Sequence, residues 1–208
     1  MKRTLLGSAM ELMHQGKIPS ISDVAVASEV SRATAYRYFP SQAAMIQEAV
    51  TEALGPILDW SSDSDDANQR VIDLLQFSYP RIEQYEATHR GALWLAMDQW
   101  ARRRAGMLEG EERIVRGSRQ RLLDDAIAPL RDELDADEFD KLTSALSLVF
   151  GIEALVVLKD IKGLGGDDAR EVALWAARAL VHYAIKESGQ GRAARSNKHK
   201  AGDNPPRH

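Results

Sequence analysis

Three serines set what the first quarter of this chain can fold into. Ser20, Ser31 and Ser41 each stand directly before a short run whose apolar residues recur at helical spacing. A serine there accepts a hydrogen bond from a backbone N–H that the first helical turn leaves unbonded. Asp23, three residues after Ser20, completes a capping box with Asp in place of the usual Glu or Gln. Pro40 cannot continue the run that Ser31 begins. This punctuation predicts a helix over 21–28, a second over 32–38, and a third from 42 to the Gly55-Pro56 pair. Leu5, Leu6, Ala9, Leu12 and Met13 place another helix over 2–14, stopped at Gly16.

Short helices joined by a three-residue turn form a helix-turn-helix. Val24, Ala25 and Ser28 pack inward from the earlier helix, and Val30 plugs the turn. On the later helix, Ala35 and Phe39 are assigned to the core. Arg32, Ala33, Thr34, Tyr36 and Arg37 then spread over the exposed side. Two guanidinium forks, a hydroxyl and phenols suit phosphates and base edges, and the first turn aims free N–H groups at any nearby phosphate. A small helical subdomain with a polar outer face fits the same pattern.

The rest of the chain is helical too, with no hairpin signal and no internal repeat, so the fold class is all-α with about nine helices. Further helices are predicted over 71–89 (kinked or broken at Pro80), 90–104, 112–133, 137–161 and 168–187. SSDSDDANQ (61–69) reads as a loop or a capped start. The 208 residues, 44% apolar and 28% charged, are enough for a sizeable core. There is no cysteine, hence no disulfide framework and no thiolate chemistry.

The longest apolar stretch, ALSLVFGIEALVVL (145–158), carries Glu153 and is too short to span a bilayer, and no signal peptide is visible. The expected location is cytoplasmic. The net charge of −4 is unevenly spread. Residues 1–50 hold five Lys/Arg against four Asp/Glu, residues 189–208 five against one, and the middle 17 against 26. A global acidic balance leaves a local DNA-contact face possible. The basic, Gly- and Pro-rich end, GQGRAARSNKHKAGDNPPRH (189–208), is expected to be disordered and could add nonspecific DNA affinity.

VAVASEVSRATAYRYFPSQAAMIQEAV (24–50) closely resembles the DNA-binding signature of the TetR family of bacterial transcriptional regulators, which runs roughly I-A-x-x-A-G-V-S-x-x-T-x-Y-x-[HY]-F-x-S-K-x-x-L. Val24 and Ala25 fill the I-A positions, Val30 and Ser31 fill V-S, and Thr34, Tyr36, Tyr38, Phe39 and Ser41 fall in register. The detailed match covers about residues 2–50. Three positions depart from it: Glu29 stands where Gly is usual, Ser28 where Ala is usual, and Gln42 where a lysine commonly contacts phosphate.

The resemblance implies a ligand-responsive regulator, most often a repressor, that binds a palindromic operator as a homodimer. It is not an enzyme and carries no cofactor. Ser31, Thr34, Tyr36, Tyr38 and Ser41 match positions that commonly touch operator DNA, and Gln42 stands at a phosphate-contact position. Arg32, Ala33 and Arg37 lie at variable positions and are the candidates for sequence choice, Arg37 first. The implied division is a DNA-binding domain over 1–45, a ligand and dimer domain over 46–188, and the tail. Its effector would be a small, largely apolar or cationic molecule.

Trp94 and Met97, with Phe77, Tyr79, Tyr85, Asp98, Trp100 and Phe150, are the candidates to line an effector cavity. Plain core packing is the alternative for each. The last two helices carry apolar residues on more than one face, so a four-helix bundle with a second copy is the preferred reading over a central core pair. Leu146, Val149, Ile152, Val156, Val172, Trp175, Ala176, Ala179, Leu180 and Tyr183 are the dimer candidates. GLGGDD lacks the strand and lysine of a phosphate cradle, and the five histidines lack metal spacing. The rival function is an all-α small-molecule-binding or partner-regulated protein without ligand-induced DNA release.

Overall fold

A computed structural model describes residues 1–107, 113–114 and 117–202, without the side chains of Ser118 and 191–202. The protein is all-helical, and no strand occurs among the described residues. The helices are α1 (Lys2–His14), α2 (Ile21–Ala27), α3 (Arg32–Tyr38), α4 (Gln42–Leu54), α5 (Ala67–Gln84), α6 (Glu86–Arg104), α7 (Ser118–Ala126), α8 (Ala136–Leu146), α9 (Ile152–Leu155) and α10 (Gly166–Gly202). Tight 3-10 turns follow α4 and α7, and a π-helical segment, Val156–Ile161, follows α9. No helix of the described residues is long and apolar enough to cross a membrane.

The chain divides into two compact units. The first comprises Met1–Asp59 and Phe77–Gly117, the second Trp60–Gln76 and Ser118–His208. The expected boundary after residue 45 therefore falls inside the first unit. Its core joins Leu5, Ala9 and Met13 of α1 with Val24, Ala25, Ala35 and Phe39, and adds Met45 and Ile46 of α4 and Ala92 and Leu95 of α6. α6 packs against α1 and α4 through small residues. A Cβ on Gly91 would stand 2.9 Å from the Met13 sulfur and 3.2 Å from Ile18 Cδ1, so this close approach excludes a larger side chain.

The Arg81 guanidinium ties α5 to the end of α4. It donates to the carbonyls of Ala53 at 2.7 Å, Leu54 at 3.1 Å and Glu52 at 3.0 Å. Those carbonyls have no partner further along their own helix. Gly55, at φ +43°, leaves the space that Arg81 fills.

In the second unit, Arg70 does the same for α7. It donates to the carbonyls of Asp125 at 2.8 Å, Ala126 at 3.1 Å and Ser64 at 3.0 Å, and also to that of Ser62. The α10 core face is a stripe of small residues, Ala169, Ala173, Ala177 and Val181, spaced one turn apart.

Several expected boundaries change for local reasons. Pro80 does not end α5. The proline ring removes the N–H that would bond the Gln76 carbonyl, and both Gln76 and Pro80 are solvent-exposed residues on the helix. Asp66 caps α5, accepting from the N–H groups of Asn68 at 2.8 Å and Gln69 at 3.3 Å, so the acidic stretch is a loop ending in a cap. Pro129 ends α7 early, and the 3-10 turn Ala128–Asp132 replaces its last predicted turn. Part of its predicted start (112, 115 and 116) lies outside the described residues. The helix expected over 137–161 is interrupted at Ser147–Gly151. The last helix runs to Gly202 instead of ending near 187; residues 203–208 lie outside the described residues.

Candidate nucleic-acid interface

The site is built from α2, α3 and the turn between them. Ser20 accepts from the Asp23 N–H at 3.2 Å, while the Asp23 carboxylate takes the Ser20 N–H at 2.8 Å and its hydroxyl at 2.7 Å. These hydrogen bonds from Ser20, helped by the charges of Lys17 and Arg32, hold the Asp23 carboxyl below its usual pKa. α2 ends in a Schellman motif, with the Glu29 N–H on the Val26 carbonyl at 3.1 Å and the Val30 N–H on the Ala25 carbonyl at 3.0 Å. The motif needs a left-handed residue, and Glu29 supplies it at φ 55°, the one non-glycine residue with positive φ among the described residues.

The Ser28 hydroxyl donates to Ser8 at 2.8 Å, which accounts for a serine where alanine is usual. It ties α2 to α1. Ser31 caps α3, accepting from the Thr34 N–H at 3.1 Å, and the two hydroxyls are 2.9 Å apart. Ser41 repeats the cap on α4, accepting from Ala44 at 3.0 Å.

Ala35 and Phe39 are fully buried, as their spacing predicts. Arg32, Ala33, Tyr36 and Arg37 are exposed, while Thr34 and Tyr38 are half-buried. The Arg37 guanidinium lies 5.6 Å from the Tyr38 ring. α3 therefore presents two cations, a methyl and a phenol on one outward side and is anchored by an apolar inner side.

Two expected contacts are partly committed elsewhere. Gln42 is half-buried, and its Nε2 donates to the Pro19 carbonyl at 2.9 Å, fastening α4 to the loop before α2. Ser31 spends its hydroxyl on the cap. Sequence reasoning missed Lys17, an exposed cation close enough to Asp23 to act on its carboxyl alongside Arg32. Its position just before the capped α2 was the available signal.

The eight effector candidates differ in burial and are divided between the two units. Phe77, Trp94, Met97 and Trp100 are exposed, Tyr79 and Phe150 are packed into cores, and Phe150 belongs to the second unit, the other seven to the first. Tyr85 lies under the Arg81 guanidinium at 4.9 Å, and Asp98 faces Arg102 at 3.8 Å. The α6 inner face is Thr88, His89, Gly91, Ala92, Leu95 and Gln99. Gly91 is what the close approach to α1 permits, and Trp94, Met97 and Trp100 are left outside. A surface depression of about 480 Å³ between α1, α4 and Arg81 is lined by Leu6, Glu48, Thr51, Glu52, Gly55 and Pro56, none of them among the eight.

The dimer candidates divide differently. Val172, Trp175, Ala179 and Tyr183 are exposed, and Val149, Val156, Ala176 and Leu180 are half-buried. Leu146 and Ile152 are buried inside the second unit and are not available to a second copy. Among the described residues, no three His, Cys, Asp or Glu side chains gather as metal ligands would. No protein-family model and no curated protein sequence matches this chain.

Proposed function

We propose that this chain is a DNA-binding transcriptional regulator of the TetR type, a repressor that acts as a homodimer by binding DNA and not by catalysis. The observation that carries the reading is the capped α2–α3 pair, with Ala35 and Phe39 fully buried and Arg32, Tyr36 and Arg37 outward. A dimer would set two copies of α3 into successive major grooves of a palindromic operator. The exposed Val172, Trp175 and Tyr183 of α10 support self-association, because an outward tryptophan and tyrosine on one helix favour burial against a partner.

Release by a small, largely apolar or cationic effector is the proposed trigger. It requires tighter effector binding to the form that holds DNA poorly. The test is fluorescence anisotropy on duplexes from the region upstream of the protein's own coding sequence. A preference of at least tenfold over scrambled duplex is expected, lost in Tyr36→Ala/Arg37→Ala. No preference, or a double variant that binds like the parent, overturns the DNA reading.

The exposed Trp94, Met97 and Trp100 stripe favours a second reading of the trigger, in which a protein partner on α6 replaces the small molecule. Tryptophan emission separates the two. Quenching by a small apolar or cationic compound supports the first, and a flat response across a broad compound set supports the second.

A further inference from the structure

The helical repeat of α3 fixes which of its side chains point away from the core it packs on. Successive residues turn by about 100°. Ala35 and Phe39, four positions apart and both fully buried, mark the inner side. Ala33 and Arg37, also four apart, lie about half a turn round from that pair, and both are exposed. Tyr36 stands about a quarter turn to one side of them and Thr34 about a quarter turn to the other. The outermost line of α3 is therefore a methyl followed, one turn on, by a guanidinium.

The two arginines of this helix are placed differently. The charge of Arg32 acts on the Asp23 carboxyl, so part of its field is spent within the protein. Arg37 pairs with no carboxylate among the described residues, and its guanidinium lies over the Tyr38 ring at 5.6 Å. A ring takes the flat side of the cation and leaves the N–H donors in its plane available.

What the outward line lacks is equally informative. It carries no carboxamide, the group that matches the acceptor-and-donor edge of adenine. Gln42, the nearest glutamine in sequence, gives its Nε2 to the Pro19 carbonyl. The Thr34 hydroxyl is 2.9 Å from that of Ser31, which also caps the helix. The Asp23 carboxylate accepts from the Ser20 N–H and hydroxyl, and Glu29 stands at the corner before α3. The polar group on the outermost line is thus a fork made only of donors. Among the base edges of a major groove, guanine presents two acceptors side by side, N7 and O6.

We propose that Arg37 reads a guanine in each operator half-site, its fork donating to N7 and O6, and that Ala33 is small so that the fork reaches the base edge unobstructed. Arg32, in the field of Asp23, serves the phosphate backbone instead. This rests on the DNA reading above and names the base that α3 selects.

Duplexes selected by the parent protein from a randomised pool supply the probe. At the guanines they share, 7-deazaguanine removes the N7 acceptor, while inosine keeps N7 and O6 and removes the minor-groove amino group. In anisotropy titrations, 7-deazaguanine in both half-sites is expected to weaken the parent at least tenfold, and inosine less than threefold. In Arg37→Ala the 7-deazaguanine penalty is expected to fall below twofold. Arg32→Ala is expected to bind all these duplexes more weakly and to keep the penalty.

A parent that prefers its selected duplexes yet tolerates 7-deazaguanine at every shared guanine overturns the proposal. So do selected duplexes that share no guanine, and so does an equal penalty in Arg37→Ala. If that variant shows no cooperative melt, Arg37→Gln takes its place and is held to the same twofold limit. A parent that selects no sequence from the pool overturns the DNA reading itself, and is recognisable because no shared bases emerge.

Discussion

Glu29 sits in the left-handed region at the helix-turn-helix corner, where the Cβ of any residue but glycine crowds the backbone. The Schellman bonds of Glu29 and Val30 require that conformation, so the strain is held by the turn geometry and does not relax. Glu29→Gly is expected to stabilise the protein by ~1 kcal/mol, raising the melting temperature by about 2–4 °C. It also removes a carboxylate beside α3, so DNA affinity should rise as well. A melting temperature unchanged or lowered would show that the turn is not strained.

Asp23 makes the opposite kind of contribution. Its carboxyl is held below the usual value by the Ser20 hydrogen bonds. A depressed folded pKa means stability present above the unfolded pKa near 3.8 and lost as pH falls through the lower folded value. Because the side chain is exposed, the effect is below ~1 kcal/mol. Asp23→Asn should flatten the dependence of melting temperature on pH in that acid window and leave α2 weaker at neutral pH. Identical acid profiles for both proteins would remove the box from the account.

At the scale of elements, what could be read in advance followed from how local its cause is. α3 was legible to the residue because its cap, inner face and terminating Pro40 all lie within a few positions of one another. α6 was legible as a helix but not in orientation. Trp94, Met97 and Trp100 looked like an inner face by size, whereas the inner face is chosen by how closely α1 comes. That distance is a tertiary fact carried by Gly91. The break before Gly151 was hidden for a similar reason, since its bonding partner, Arg119, lies 28 residues from the nearest carbonyl it holds.

Gly91→Leu tests the α6 account. Its side chain would start within contact of Met13 and Ile18, costing ~1–3 kcal/mol by overpacking. Trp100→Ser, on the outward face, should change stability by less than about 0.5 kcal/mol. Chemical denaturation that ranked these two the other way round would reverse the inner and outward faces.

At the scale of the whole molecule, the proposed homodimer needs an apolar surface for a second copy, and α6 and α10 each leave two tryptophan or tyrosine side chains outward. The α10 face has the stronger claim. Val172, Ala176, Ala179 and Tyr183 lie three or four positions apart, with Trp175 beside them, and so they share one side of a helix. α10 also turns its stripe of small residues inward, which leaves its bulk to the outside.

An obligate association makes the melting temperature rise with protein concentration, because the partner binds only the folded chain. Trp175→Glu places a charge at the centre of that face. A buried aromatic anchor of this kind carries ~2–4 kcal/mol of association, so the dimer constant should weaken by about 30-fold or more. The concentration dependence of melting should fall away in this variant. Operator affinity should fall with it, because each α3 then binds its half-site alone. Trp100→Glu on α6 is the matched control and should keep both. Should Trp100→Glu dissociate the dimer while Trp175→Glu leaves it intact, α6 would be the interface, and the outward face of α10 would need another partner.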